Sequence, residues 1–149
     1  MKIVGKYNVP YVMMHMKGNP QNMIRKTNYD DMLKEIIKYF SKKINQAVSY
    51  KINDMIIDPG FGFAKDLKQN YDLLSNIDLL KILDKPIMVG ISRKSMIYQS
   101  LKTNAKESLN GTTVLNTVSL IKGASILRVH DVKEANECIK LISALNNQG

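Results

Sequence analysis

Four short apolar stretches, each followed by a segment with helical spacing, constrain this fold more than any other feature of the chain. The stretches are Pro10–Met16, Asp54–Asp58, Pro86–Ile91 and Ser125–His130. They begin about 30 to 45 residues apart, and strands that alternate with helices at such spacing are typical of parallel strands joined by helical crossovers. With 149 residues, the chain can bury the core of one domain. The pattern predicts a single α/β domain.

Apolar residues at helical spacing predict the connecting helices. In chain order they are the end of one helix at Met1–Asn8, a helix that opens at Asp30 or Asp31 and continues through Ile44, and further helices at Leu67–Leu83, Ser95–Leu101, Lys106–Lys122 and Val132–Leu145. Gly123 is expected to terminate the fifth helix. Asp131 and Glu134 form a capping-box pattern before the last one, and Ser95 is expected to cap the helix that it begins. Gly18, Asn19 and Pro20 predict a turn.

Every predicted strand ends in polar residues. These residues are His15, Asp58, the run Ser92-Arg93-Lys94, and then Arg128 with His130. The carboxyl ends of parallel strands lie at one edge of a sheet or barrel, where the following loops converge. The sequence therefore predicts a binding site at this edge.

The residues after the second strand permit two interpretations. Asp58 can accept paired N–H donors of a heterocycle, or it can cap the turn at Pro59. Gly60 and Gly62 allow the loop to pass close to a ligand. Phe63 can pack on an aromatic substrate or on the protein's own core. The sequence of this loop is not that of a phosphate-binding P-loop, which has a longer spacing and a Lys-Ser/Thr ending.

The last two strands contribute cations. Arg128 and His130 are two residues apart, so both side chains are expected on the same face, where they suit a phosphate or pyrophosphate. A neutral His130 bonded to a helix end is the alternative. Lys94 belongs to a Ser-Arg-Lys-Ser run that fits either an anion site at a strand-to-helix turn or an ordinary polar loop. A lone histidine such as His15 is usually structural, and two histidines on different strands do not favour a zinc site.

The composition restricts the kinds of molecule that the chain is expected to bind and the compartment in which it is expected. The net charge of +9 comes almost entirely from dispersed lysines, which favours solvated surface or general attraction of an anionic substrate over nucleic-acid binding. Cys138 is the single cysteine. It excludes an internal disulfide, is expected to be a small buried residue, and favours a reducing compartment such as the cytoplasm. The sequence contains no apolar run of the roughly 20 residues that a membrane span needs, and its N-terminus lacks a signal-peptide pattern.

Four collinear segments resemble dihydropteroate synthase, the folate-pathway enzyme that sulfonamides inhibit. They are VMMHMKGNPQNM at Val12–Met23, IIDPGFGFAKDLKQNYDLL at Ile56–Leu74, VGISRKSMI at Val89–Ile97 and GTTVLNTVSLIKGASILRVHDV at Gly111–Val132. The combination of DPGFGF, SRKS and RVHD is specific. Methyltransferases that bind pterins share the barrel but lack the pairing of SRK with RVHD.

The resemblance implies a (β/α)₈ TIM barrel and a defined reaction. Hydroxymethyl-dihydropterin pyrophosphate condenses with para-aminobenzoate to give dihydropteroate and pyrophosphate, with Mg²⁺ assisting. By match, Asp58 and Lys94 hold the pterin, with Met14 as a further contact. Arg128 packs along the pterin ring and, with His130, holds the pyrophosphate. The residues implied for the aminobenzoate pocket are Phe63, Ser92, Arg93 and Ser95.

The chain matches only the second half of the family pattern. Residues 1–149 correspond to about four βα units, strands five to eight of the barrel, whereas a complete barrel typically has about 250 residues. The Mg²⁺ ligand is expected in the first half, and no metal ligand in this chain. The resemblance also implies small-molecule substrates and a homodimer for the complete enzyme. A half-barrel that binds pterin or pyrophosphate without turnover is the alternative, followed by a pterin-binding methyltransferase domain.

Overall fold

The computed structural model describes residues 1–18 and 27–146, and in these ranges four parallel strands alternate with helices. The strands are β1 (Tyr11–Met14), β2 (Met55–Asp58), β3 (Met88–Val89) and β4 (Ile126–Leu127). The helices are α1 (Lys2–Tyr7), α2 (Met32–Ser49), α3 (Leu67–Ser75), α4 (Ser95–Ser100), α5 (Leu109–Ile121) and α6 (Val132–Asn146). A 3₁₀ segment at Ile77–Leu83 follows α3.

The strands lie side by side in chain order. β1 pairs with β2 so that Met14 stands opposite Asp58, and β3 pairs with β4. An isolated parallel bridge between Ile57 and Ile87 joins the two pairs, and the Ile57 N–H donates to the Pro86 carbonyl at 3.0 Å. All pairings are parallel, as the alternation predicts, so the carboxyl ends of the strands lie at one edge.

The two faces of the sheet differ in burial. Met13, Ile57 and Val89 face the helices and are at most 2% exposed, and they belong to the same apolar cluster as Phe40 of α2. Side chains alternate between the faces of a strand, and Val12, on the opposite face, is 42% exposed. The helices therefore cover one face of the sheet and leave the other more open.

The strands are shorter than their apolar runs predict. The runs Pro86–Ile91 and Ser125–His130 form ladders only at Met88–Val89 and Ile126–Leu127. Their polar ends lie beyond the ladder, although the Arg128 N–H still donates to the Val89 carbonyl at 2.8 Å. The predicted order and direction of the strands are confirmed.

One predicted helix is divided in two. The segment Leu67–Leu83 breaks at Asn76, whose N–H donates to the Leu73 carbonyl at 3.3 Å. The chain then continues as the 3₁₀ segment. Asp66 and Gln69 begin α3 with a capping box, in which each side chain accepts from the other residue's N–H at 2.8 and 2.9 Å. This box supplies acceptors for otherwise unpaired N–H groups of the first turn.

Two other predicted caps differ from the structure. Lys94, in extended conformation, precedes α4, and Ser95 is the first helical residue, so the capping role expected of Ser95 is wrong. Both carboxylate oxygens of Asp131 accept from the Arg93 guanidinium, which takes that side chain away from the predicted capping box. By contrast, Asp31 caps α2 by accepting from the Lys34 N–H at 3.1 Å.

The structure also places Gly123 and Cys138, two residues with predicted structural roles. Gly123 follows α5 with a φ of 99°, in the left-handed region that a helix terminator favours. Cys138 is 4% exposed, as expected of a small core residue. Among the described residues, no helix has the length and apolar character to cross a membrane. Asn19 and Pro20 of the predicted turn lie outside those residues.

Candidate functional site

An ion pair joins the ends of two strands at the carboxyl edge of the sheet. Nη2 of Arg128 donates to Oδ2 of Asp58 at 3.0 Å. The other oxygen of Asp58 accepts from the Gly60 N–H at 2.8 Å, so the carboxylate both caps the turn and faces the site. Asp58 is 2% exposed, whereas the Arg128 side chain is 53% exposed. The pair therefore has a fixed anion and a cation that solvent or a ligand can reach.

Gly90 makes room for the guanidinium. A Cβ atom at this position would lie 2.6 Å from Nη2 and 2.8 Å from Cζ of Arg128. Any larger residue would push the guanidinium from its place, so the glycine in the third apolar run is a steric requirement of the site. Sequence reasoning treated Gly90 only as part of a strand and missed this role.

Lys94 brings a second cation to the edge. Its ammonium donates to the Phe61 carbonyl and lies 4.8 Å from the centre of the Phe63 ring. Burial, and after it the nearby charge of Arg128, lower the pKa of Lys94 to about 8, while the charge of Asp58 opposes the shift. The ammonium thus sits close to the boundary between its charged and neutral forms at neutral pH.

Ser92 and His130 complete a small cleft. The Ser92 hydroxyl oxygen accepts from the His130 backbone N–H at 3.3 Å and lies 3.1 Å from Nδ1 of the same residue. Arg128 and His130 both line this cleft, although they lie beyond the end of β4 and Val129 between them lines it as well. This cleft has a volume of about 60 Å³ and is lined by Gly90, Ser92, Lys94, Arg128, Val129 and His130.

Arg93 is directed away from this cleft and holds the following loop. Its Nε and Nη2 atoms each donate to a different oxygen of Asp131 at 2.9 Å. Its Nη1 donates to the carbonyls of Ala105 and Lys106. The ion pair raises the pKa of Arg93 and lowers that of Asp131. Arg93 therefore joins the end of the third strand to the start of α6 and to the segment before α5.

The remaining predicted residues lie around the same edge. Met14 ends β1, and its Cγ would lie 3.6 Å from a Cβ at Gly60. Phe63 is half-buried beside Lys94, and Ser95 is half-buried at the start of α4. The structure thus brings Asp58, Ser92, Lys94, Arg128 and His130 together, with Phe63 and Met14 next to them.

Sequence reasoning missed a buried lysine next to the site. Lys65 is 7% exposed, and its ammonium lies 3.1 Å from Nδ1 of His15 and donates to the carbonyls of Gly60 and Phe63 at 3.0 and 3.1 Å. Burial lowers the pKa of Lys65 to about 7. Burial and the charge of Lys65 lower the pKa of His15 to about 3. The only sequence signal was a lysine directly after the glycine-rich loop.

Metal ligation is not built into the described part of the chain. Among residues 1–18 and 27–146, no three histidine, cysteine, aspartate or glutamate side chains lie together in a cluster that could hold a metal ion by itself. These residues do not fit a Mg²⁺ site of their own.

Comparison with known proteins identifies the family. The sequence pattern described as pterin binding enzyme matches residues 1–130. The chain belongs to this pterin-binding enzyme family. Dihydropteroate synthase from Escherichia coli K12 is 39% identical over 138 residues, which cover 91% of this chain and 49% of the relative. The chain thus spans about half the length of the curated relatives that it matches.

Solved structures of dihydropteroate synthases are also similar to this chain in fold. The Yersinia pestis dihydropteroate synthase in complex with a sulfonamide drug superposes with a TM-score of 0.95 at 36% identity, over 98% of this chain and 54% of the other. The Thermus thermophilus enzyme in complex with 4-aminobenzoate superposes with a TM-score of 0.93 at 30% identity, over 97% of this chain and 60% of the other. The pterin-binding family assignment therefore rests on sequence and on fold.

Proposed function

We propose that this chain forms strands five to eight of a dihydropteroate synthase barrel and carries the pterin and pyrophosphate part of its active site. The reaction would join hydroxymethyl-dihydropterin pyrophosphate to para-aminobenzoate and release pyrophosphate. The observation that carries the proposal is the convergence of Asp58, Lys94, Arg128 and His130 at one edge of the sheet. Membership of the pterin-binding family and the likeness to dihydropteroate synthases support it.

The buried carboxylate suits the pterin. Asp58 is fixed by Gly60 and Arg128, and a fixed carboxylate can accept two parallel N–H donors from the aminopyrimidine edge of a pterin. Lys94 beside it can turn from the Phe61 carbonyl to an acceptor on the ring. Arg128 offers a planar guanidinium along that ring, and Met14 lies at the neighbouring strand end.

The exposed guanidinium of Arg128 and imidazole of His130 suit the leaving group. Arg128 and His130 line one cleft and reach solvent, so both can donate to the oxygens of a pyrophosphate. Stabilising the negative charge that develops on the departing pyrophosphate lowers the barrier for its departure. The aminobenzoate nitrogen then attacks the exocyclic methylene carbon. The site needs positioning and charge stabilisation, and no side-chain nucleophile.

The aminobenzoate pocket is assigned to Phe63, Ser92, Arg93 and Ser95. Phe63 offers a ring face at the edge of the sheet, and Ser95 lies in the first turn of α4. Arg93 would contribute through the loop that it holds, because its guanidinium is occupied by Asp131 and by two carbonyls. A homodimer remains part of the proposal for the complete enzyme. Mg²⁺ would add charge neutralisation on the pyrophosphate from ligands outside the described residues.

Calorimetric titration tests the proposal directly. The 149-residue chain is titrated with hydroxymethyl-dihydropterin pyrophosphate, with inorganic pyrophosphate and with methyl-tetrahydrofolate. We expect the first two ligands to bind and the third not to bind. We also expect Lys94→Met to weaken binding of the pterin compound. Lys68→Met, at an exposed position on α3, should leave the affinities for the pterin compound and for pyrophosphate unchanged. Binding of methyl-tetrahydrofolate alone would instead support a methyltransferase domain.

A second candidate function is favoured by the length of the match. Because the chain spans about half of the relatives' length, it can hold ligands without turning them over. Product formation from the pterin compound and aminobenzoate separates the two candidates. Binding of the pterin compound without dihydropteroate formation by the chain supports the binding role.

A further inference from the structure

The loop between Asp58 and α3 is held by two lysines from opposite sides. Lys65 donates to the carbonyls of Gly60 and Phe63 at 3.0 and 3.1 Å. Lys94 donates to the carbonyl of Phe61, which lies between them. Three carbonyls of one short loop therefore point at two ammonium groups. The first of these groups belongs to a residue to which neither the sequence pattern nor the proposed reaction assigns a role.

We propose that Lys65 is the positioning residue that fixes the Gly60–Phe63 loop and thereby orients Asp58 and Phe63 for the pterin. The inference rests on the proposed function and deepens it. Gly60 transmits the effect, because its carbonyl accepts from Lys65 while its N–H donates to Oδ1 of Asp58 at 2.8 Å. Phe63 is held through its own carbonyl.

The chemistry of an ammonium matches this position. A lysine ammonium has three donors and no acceptor, and here it faces three acceptors, the two carbonyls and Nδ1 of His15. The contact to Nδ1 requires the His15 tautomer that carries its proton on Nε2. A buried cation is tolerated only when its hydrogen bonds are satisfied. Because all three ammonium donors have acceptors, a lysine that is only 7% exposed can be accommodated here.

The two lysines divide the work between them. Lys94 lines the cleft and is free to exchange the Phe61 carbonyl for a ligand. Lys65 is absent from the residues that line that cleft, and it faces the loop and β1. When Lys94 moves to a ligand, the bonds from Lys65 keep the Gly60 and Phe63 carbonyls in place. The loop is thus preorganised, and misplacement of such a group by about 1 Å can weaken a site on the order of a hundredfold.

The titratable groups around Lys65 come from three elements, and two of these groups are charged. His15 follows β1, Asp58 ends β2, and Lys94 precedes α4. Asp58 favours the charged form of Lys65, whereas Lys94 opposes it. Occupation of Asp58 and Lys94 by a ligand therefore changes the field at Lys65, so its protonation should couple to pterin binding.

Nuclear magnetic resonance of the 149-residue chain gives a specific measurement. The Gly60 and Phe63 carbonyls share peptide groups with the N–H of Phe61 and Ala64, so these two amides report on Lys65. The Gly62 amide reports on Lys94 in the same way. We expect Lys65→Met to shift the amide resonances of Phe61 and Ala64. We also expect it to lower the affinity for hydroxymethyl-dihydropterin pyrophosphate by roughly tenfold or more. The affinity for inorganic pyrophosphate should be unchanged. Lys68→Met is the matched control and should alter neither the amides nor the affinities.

Each other outcome overturns the inference. It fails if Lys65→Met leaves the pterin compound's affinity unchanged, whether or not the loop amides move. It also fails if the affinities for the pterin compound and for pyrophosphate fall together, because that result shows a general structural role. If the variant does not fold, a pH titration of the wild-type chain decides. The inference is supported if the amide shifts of Phe61 and Ala64 change with a common midpoint near pH 7 and the affinity for the pterin compound changes with the same midpoint. Amide shifts that do not change with pH overturn it.

The test separates this inference from the proposed function. A wild-type chain that binds neither the pterin compound nor pyrophosphate refutes the proposed function. In that case the amide shifts of the variant still show whether Lys65 fixes the loop. The proposal that this loop orients residues for a pterin is then refuted together with the proposed function.

Discussion

Nη2 of Arg128 lies 3.0 Å from Oδ2 of Asp58, and the two residues are 70 positions apart in the chain. The pair spans β3, because Asp58 ends β2 and Arg128 follows β4. Burial differs sharply between the partners, since Asp58 is 2% exposed and the Arg128 side chain 53%. The carboxylate therefore sets the position of a guanidinium whose outer face remains available to an anion.

The first prediction concerns the anion affinity of this guanidinium. Arg128→Gln should weaken the binding of inorganic pyrophosphate, because a hydrogen bond to a charged group contributes about 1.5 to 3 kcal/mol. This free energy corresponds to a loss of affinity of roughly tenfold to a hundredfold. The free energy of unfolding should also fall, by about 1 to 3 kcal/mol, because the buried Asp58 carboxylate loses a charged hydrogen-bond partner. Calorimetric titration and urea unfolding measure the two effects. An unchanged pyrophosphate affinity in a folded variant would contradict the assignment.

The second prediction tests the steric role of Gly90. A Cβ there would lie 2.6 Å from Nη2 of Arg128, so Gly90→Ala should displace the guanidinium and weaken pyrophosphate. In an Arg128→Gln background, where the charged fork is absent, the same alanine should have little further effect. Residues in contact show such non-additivity in a double-mutant cycle. Equal losses in both backgrounds would show that Gly90 acts independently of Arg128.

The sequence predicts the positions of the site residues better than their contacts. The alternation of strands and helices predicts parallel strands, and parallel strands place Asp58, Lys94 and Arg128 at one edge. These arguments depend only on periodicity and chain direction. The order of strands and the common edge are accordingly confirmed.

Long-range side-chain contacts have no such signature. Nothing in the spacing shows that the ammonium of Lys65 returns to His15, 50 positions earlier. Nothing in it shows either that Asp131 binds Arg93 in place of its predicted capping role. These bonds depend on which acceptors the fold leaves unpaired, and that is settled only when strands and loops have packed. The break at Asn76 is a local feature that apolar spacing does not reveal, since that spacing continues across it, while the Asn76 side chain donates to the Asp72 carbonyl at 2.8 Å.

The third prediction follows from the buried cation of Lys65. Its pKa is about 7 in the folded chain, below the ordinary value of 10.5. Between these values the unfolded chain binds the proton that the folded chain has lost, so stability rises with pH through this window. Urea unfolding from pH 7 to 9.5 should show an increase on the order of a few kcal/mol. The half-buried Tyr29 does not contribute in this range, because its pKa is raised from an ordinary 10.0 to about 12.

Lys65→Met should remove most of the increase, whereas Lys68→Met should retain it. Lys94, with its pKa of about 8, supplies the part that remains in Lys65→Met. A wild-type chain whose stability is level from pH 7 to 9.5 would show that Lys65 is not a desolvated ammonium in the folded state.

The fourth prediction concerns acid and the other partner of Lys65. The pKa of His15 falls from an ordinary 6.5 to about 3, first through burial and then through the charge of Lys65. The unfolded chain therefore takes up a proton on His15 below pH 6.5 that the folded chain refuses. The stability from this group is complete above pH 6.5 and is lost as the pH falls toward 3.

Comparison of two histidine variants isolates this effect from the titration of carboxylates. His15→Asn keeps an acceptor for Lys65 but cannot be protonated, so its loss of stability between pH 7 and 4.5 should be smaller than that of the wild type, by on the order of a kcal/mol or more. His130→Asn removes the exposed histidine and should follow the wild-type curve. If the two variants lose stability in parallel over this range, His15 is protonated in the folded chain, and its Nδ1 cannot be the acceptor that holds Lys65.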